Sequence, residues 1–207
     1  MPPFAVLHVC MGNICRSPMA ERLLVQAARD RVGDAWEDLL LSSSAGTGGW
    51  HAGEPMNPPA AREVRRRGGL ESGFAARRLL AEHIDTADLV LTATGEQAEF
   101  AVDLRPDAAR RTFVLGEFGR LLPAVDPAAL PPFAADADAV YARGVALVEA
   151  VDKVRDGRPA LPGDDLDDPW GRGDGFFTRV ADEIEATVRP LAEVLFGARL
   201  RSRGSGG

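Results

Sequence analysis

Cys10 and Arg16 stand at the two ends of a short stretch, Cys10-Met11-Gly12-Asn13-Ile14-Cys15-Arg16-Ser17-Pro18, with five residues between them. A thiol and a guanidinium at that spacing make a nucleophile and a bidentate clamp for an oxyanion. A helix N-terminus beside them would add free N–H groups and favour the thiolate. The backbone N–H groups from Met11 to Ser17 would then hold the oxygens of a tetrahedral anion, most strongly as charge develops in a transition state. Gly12 lets the backbone turn inward, Asn13 tolerates a left-handed conformation, and Ser17 is placed to donate to the sulfur.

The flanking residues say how the stretch is held. The apolar run Phe4-Ala5-Val6-Leu7-His8-Val9 reads as a buried strand, and Met19 to Val25 has helical spacing. Ser17 at the cap and Pro18 just inside place the helix start, and Gly33 ends it after about Val32. Further strands are predicted at Leu39–Leu41, Ala87–Thr92 and Arg111–Leu115. Helices are predicted from Ala60 to Arg67, with Asn57 as cap, and at Glu96–Val102, Asp136–Val154 and Asp174–Phe196. Alternating strands and helices predict an open, mostly parallel four-stranded α/β sheet flanked by helices. The loop after the first strand then lies at the carboxyl edge, where such sheets bind ligands. Ser42 to His51 reads as a polar, glycine-rich turn carrying Trp50. Arg65-Arg66-Arg67 before Gly68-Gly69 reads as the cationic, glycine-capped end of a helix. On the helix after Asp136, an apolar face of Val140, Tyr141, Val145, Leu147, Val148 and Val151 is expected.

The 207 residues carry a net charge of -7 and are 45% hydrophobic. The negative balance argues against nucleic-acid and anionic-membrane partners. No run is long enough to span a bilayer, and no basic, then apolar leader opens the chain, so a cytoplasmic location is expected. Two cysteines, five positions apart, argue against a structural disulfide framework, and no His or Cys cluster has metal-ligand spacing. No metal and no other cofactor is expected. Nothing in the residues sets an oligomeric state.

The loop from Cys10 to Pro18, Ser44-Ala45-Gly46-Thr47 and Asp168-Pro169-Trp170-Gly171 together resemble the low-molecular-weight protein tyrosine phosphatases. The resemblance runs from the first strand to the last helix, as one domain over 1–198. It implies hydrolysis of phosphotyrosine and small aryl phosphates through a cysteinyl-phosphate, with Cys10 as nucleophile and Arg16 as clamp. Met11, Gly12, Asn13, Ile14, Cys15 and Ser17 would complete the phosphate cradle, with Ser44 supporting it. It implies Asp168 as general acid, with Asp167 as runner-up, and Trp50 and Trp170 as walls of an aromatic slot. Asp168, packed under Trp170, would keep its proton, while the other three acids of 164–168, Asp164, Asp165 and Asp167, would be solvated. Cys15 is either a buried apolar support or a thiol that traps oxidised Cys10. The partner implied is a phosphotyrosine protein, a tyrosine kinase among the candidates.

Three departures from the resemblance stand out. Phe74-Ala75-Ala76-Arg77-Arg78 replaces a polar anchor usually carried by a His, Gln97 replaces another mouth residue, and 122–161 reads as an inserted helical segment. The tail 199–207 reads as disordered. Two rivals follow. Arsenate reduction on the same fold is disfavoured because no cysteine follows Cys15. A non-enzymatic phosphate-binding or interaction module is left some room by the departures.

Overall fold

Seven residues that are all buried, Phe4–Cys10, form β1 at the centre of the sheet. A computed structural model describes residues 1–197; the tail 199–207 lies outside the described residues. In chain order come β1, α1 (Arg16–Val32), α2 (Trp36–Leu39), β2 (Leu40–Gly46), α3 (Pro58–Arg66), α4 (Ala81–Asp85), β3 (Leu89–Thr92), α5 (Gly95–Leu104), β4 (Thr112–Val114), α6 (Leu115–Leu121), α7 (Ala137–Arg155) and α8 (Asp174–Phe196). The four strands pair in parallel in the order β2-β1-β3-β4. Strand order therefore reverses beside β1, and the carboxyl ends of β1 and β3 flank a crevice that opens at Cys10.

Alternation along β1 feeds two cores. Phe4 and Val6 join α1, α3, α6, α7 and α8 on one face, where Leu24, Phe118, Phe177 and Leu195 are buried. Leu7 and Val9 pack with Ile84 and Ala101 from α4 and α5 on the other. The predicted sheet is therefore the observed one, and α8 has the predicted bounds.

Other bounds moved for physical reasons. β2 runs on to Gly46 instead of stopping at Leu41, because each residue from Leu40 to Gly46 pairs with β1. Its serines form no turn, since Ser42 and Ser44 reach buried partners on α1. Ser17 does not cap α1. The helix begins at Arg16, no side chain caps it, and Pro18 still sits in the first turn, where a missing N–H costs nothing. Asn57 precedes α3, but its side chain makes no cap bond. In the 122–161 stretch, α7 covers the sheet with Val140, Gly144, Leu147, Val148 and Val151, while Tyr141 and Val145 turn outward. Buried Arg143 replaces them on the inner face, donating to the carbonyls of Val194 and Pro131.

The arginine run at the end of α3 is structural. Arg67 donates to Glu63 and Asp182, and its Nε lies 2.8 Å from Glu185, tying α3 to α8. Glu63 is buried, which works against its charge. Hydrogen bonds from Arg67, Thr178 and Arg66 outweigh that burial and hold its carboxyl below the ordinary 4.5. Arg67→Ala removes one of the partners of a buried carboxylate, Arg66 and Thr178 remaining, and is expected to cost about 2 kcal/mol in urea unfolding. The Glu63 contribution is present above pH 4.5, and is lost as pH falls through the lowered native value. Wild type and Arg67→Ala should therefore converge in stability under acid. A difference that is the same at pH 7 and pH 3 would refute the pairing.

Candidate active site

The end of β1 delivers Cys10, and the N-terminus of α1 delivers Arg16, so the two close one loop over the sheet edge. Gly46 permits this, because a Cβ there would lie 2.7 Å from the Met11 carbonyl oxygen. The loop turns at Asn13, whose φ of 55° is left-handed. At Gly12 a side chain would crowd the His51 ring. Among the described residues, no backbone carbonyl accepts the N–H groups of Gly12, Ile14 and Cys15. These are unpaired donors beside a helix N-terminus, as an anion cradle requires.

The sulfur is surrounded by donors. The Asn13 N–H donates to Cys10 Sγ at 3.3 Å, and Ser17 Oγ lies 3.0 Å from the sulfur. Asn13 Nδ2 donates to Ser17 Oγ at 2.9 Å, so the hydroxyl's own proton is left for another acceptor. The Ala45 carbonyl is farther, at 3.5 Å, so the sulfur is the better target. Behind this, Asn13 Nδ2 also donates to Ser44 Oγ at 2.8 Å, and Ser44 donates to Glu21 at 2.6 Å. Burial raises the pKa of Glu21, opposed by the bond from Ser44. Arg77 completes the support. Its N–H donates to Asn13 Oδ1 at 2.9 Å, and its Nε donates to the Ser44 carbonyl at 2.8 Å. The polar anchor expected to be missing around Phe74 is thus supplied three residues later. Glu21 and Arg77 escape a sequence reading because a lone acid on a helix and one of two adjacent arginines carry no local signal.

Arg16 is buried and extends across the loop. One terminal nitrogen donates to the Leu166 carbonyl at 3.0 Å and the other to Asp168 Oδ2 at 2.8 Å. Its Nε has no partner. A buried guanidinium N–H without a partner, on a side chain that lines this cavity, is a waiting contact for an oxyanion. The second oxygen of Asp168 accepts the N–H of Trp170 at 3.1 Å. Asp167 turns away to Arg179 at 2.8 Å, which removes the runner-up from the site. The neighbouring acids are not all solvated as expected. Asp164 is buried and paired with Arg120, and Asp165 accepts the Gly95 N–H that begins α5.

A cavity of about 200 Å³ opens on this constellation, lined by Cys10, Ile14, Arg16, Trp50, Asp168 and Trp170. Cys10 is only 2% exposed, so the sulfur forms the floor and is reached through the cavity alone. Trp50 and Trp170 are each 64% exposed and stand at the rim. Trp170 does not cover Asp168, whose side chain is 45% exposed, so the expected shielding by the indole is absent. His51 also lines the cavity, with Nδ1 2.7 Å from Glu54, and it was not among the predicted site residues. Cys15 lies against the same cavity as a free thiol. Burial, then the neighbouring Cys10 and Asp168 charges, push its pKa up to about 12. Among the described residues, no group of His, Cys, Asp and Glu converges as a metal site, and no helix is long and apolar enough to cross a membrane.

The fold and this loop define a doubly wound α/β protein in which the Cys10 thiol and the Arg16 guanidinium share the turn after β1. Residues 5–155 match the model of the low molecular weight phosphotyrosine protein phosphatases, so the chain belongs to that family. It is 37% identical over 92 residues to the low molecular weight protein-tyrosine-phosphatase YfkJ of Bacillus subtilis, covering 44% of this chain and 57% of that one. It is 39% identical over 109 residues to protein-tyrosine phosphatase A of Mycobacterium tuberculosis, covering 52% and 63%. The match thus spans less than two-thirds of either relative. Among solved structures, the YwlE arginine phosphatase of Geobacillus stearothermophilus superposes with a TM-score of 0.61 at 26% identity, over 92% of each chain. Asp168 lies beyond the stretch that matches the family model, so its place in the site rests on its bond to Arg16.

Proposed function

We propose that the protein hydrolyses phosphate monoesters, with phosphotyrosine in proteins as the preferred substrate. The observation that carries the reading is the open Arg16 Nε beside unpaired loop N–H groups and a sulfur at the cavity floor. A phosphoryl group seated there places phosphorus over Cys10. The thiolate attacks, the P–O bond to the leaving group breaks, and Asp168 gives that oxygen its proton. Asp168 then takes a proton from water, the hydroxide attacks phosphorus, and the S–P bond breaks to release inorganic phosphate and the thiolate. Arg16 and the loop N–H groups hold the equatorial oxygens in both steps. No step calls for a metal.

Two indoles at the rim suit a flat aryl group. Phosphoarginine would need acceptors for its N–H groups, and among the described residues Asp168 is the one carboxylate lining the cavity, beside apolar Met11 and Ile14. The test is turnover of p-nitrophenyl phosphate and of peptides carrying phosphotyrosine, phosphoserine or phosphoarginine. The reading expects phosphotyrosine to lead. Turnover confined to phosphoarginine would replace the substrate, and absence of any turnover would favour a phosphate-binding module. A cytoplasmic location and a tyrosine-kinase partner fit this reading, and capture of phosphoproteins by a Cys10→Ser variant tests the partner.

Asn13 organises the loop through three hydrogen bonds and its left-handed φ. Asn13→Ala and Asn13→Gly should both lower kcat/KM about tenfold or more, since both lose the bonds that orient Ser17. The glycine variant should be about 1 kcal/mol the more stable, since only the alanine strains at positive φ. Wild-type turnover in either variant would show that the network does not position the sulfur.

Cys15 is the resolving thiol in this reading. Sulfenic acid formed on Cys10 by peroxide condenses with the Cys15 thiol, expelling water and forming a disulfide. Peroxide inactivation should then be reversed by dithiothreitol in wild type and not in Cys15→Ala. Equal recovery in both would leave Cys15 a packing residue.

A further inference from the structure

We infer that a depression beside the catalytic mouth is a subsite for a cationic side chain, a lysine or arginine flanking the phosphorylated residue of the substrate protein. The inference rests on the phosphatase reading and extends it to substrate sequence. The depression holds about 240 Å³ and shares Met11 with the catalytic cavity, and Met11 directly follows the nucleophile. A side chain one or a few positions from the phosphorylated residue therefore reaches it.

Its wall is one face of α5. Glu96, Glu99, Phe100 and Asp103 stand three, four and seven positions apart, the spacing that aligns side chains on a helix. The three carboxylates are exposed, and none has an ion pair or hydrogen bond among the described residues. This contrasts with Glu63, Asp152 and Asp164, which are each neutralised by arginines. An independent feature sits between them. Gln97 lines the depression, is 4% exposed, and its Oε1 has no partner. A buried amide carbonyl without a donor is a cost that a ligand N–H would remove. Unpaired carboxylates and an open carbonyl call for a ligand that brings positive charge and several N–H groups. A bare metal ion does not fit, because the acids are strung along the helix and do not converge. Phe100, 36% exposed, offers its ring face to a guanidinium or to an aliphatic stem. Flanking acids on a substrate would be repelled by the same face.

The test compares phosphotyrosine peptides that differ in one flanking residue, Arg, Ala or Glu, placed in turn at each of the nearest positions on both sides. At one or more positions, wild-type kcat/KM should rank Arg above Ala above Glu, with about fivefold or more between the extremes. The ranking should fade as salt is raised. The triple variant Glu96→Gln, Glu99→Gln, Asp103→Asn should bring the three peptides within about twofold of one another. It should turn over p-nitrophenyl phosphate, which has no flank, at the wild-type rate. Equal use of Arg and Glu peptides by the wild type, or a ranking that survives in the variant, would overturn the subsite while leaving the phosphatase intact. Wild-type protein that fails on p-nitrophenyl phosphate as well as on the peptides would overturn the phosphatase reading, and the subsite with it.

Discussion

Cys10→Ser should leave a folded protein that hydrolyses p-nitrophenyl phosphate about 10^5-fold more slowly than wild type. The loss follows from chemistry that no neighbour can supply. In the site, the Asn13 N–H and Ser17 Oγ surround one atom, the Cys10 sulfur, which lines the cavity together with Arg16. Serine keeps the shape but presents a neutral hydroxyl, and Asp168, a carboxylate that lines the cavity, is engaged by Arg16. The second thiol cannot substitute, because burial leaves Cys15 protonated at neutral pH. Thermal unfolding should be nearly unchanged, since one buried atom is exchanged for a smaller one that the same donors can reach. Phosphate analogues should still bind, because the cradle and Arg16 remain. Turnover within about tenfold of wild type would remove the mechanism.

Asp168→Asn carries the second large effect. The amide cannot donate a proton to a leaving alkoxide or phenolate, so kcat should fall about 10^2- to 10^4-fold. The fall should be steeper for leaving groups of high pKa than for p-nitrophenol, which departs without much help. The basic limb of the pH–rate profile should flatten with it. The structure adds a sign that a general-acid role alone would not predict. Asp168 holds one donor of Arg16 at 2.8 Å. An incoming phosphoryl oxygen must compete with that carboxylate. Asp168→Asn should therefore bind inorganic phosphate or vanadate more tightly than wild type while turning over less. A variant with weaker oxyanion binding and unchanged leaving-group dependence would assign Asp168 to structure.

The catalytic loop was legible because its residue types are rarely combined: a thiol, a left-handed Asn, an Arg and a helix-starting Pro after an apolar strand. The Asp-Pro-Trp run was legible as a motif, yet the fate of its neighbours was not. Asp164 and Asp165 read as solvated, and only the fold shows Arg120 and the start of α5 standing opposite them. The support behind the loop was hidden for a similar reason. Glu21 and Arg77 are far apart in the chain and meet only because β2 runs past Ser44 between them. The strand itself was cut short because Ser42-Ser43-Ser44 breaks the apolar signal, while its pairing with β1 needs only the backbone. The short helices α4 and α6 were missed because neither is long enough to show a period. Both are fixed by side chains at their third positions, His83 and Glu117, bonding back to the start.

The central claim is that phosphorus is transferred to one sulfur. Asp168→Asn, slowed in releasing phosphate, should be mixed with an aryl phosphate, quenched in acid within a turnover, digested and read by mass spectrometry. The account predicts a phosphoryl group on the peptide containing Cys10, lost on longer incubation and never found in Cys10→Ser. Turnover that proceeds with that peptide unmodified at every time point, or with the phosphoryl group on another side chain, would contradict it.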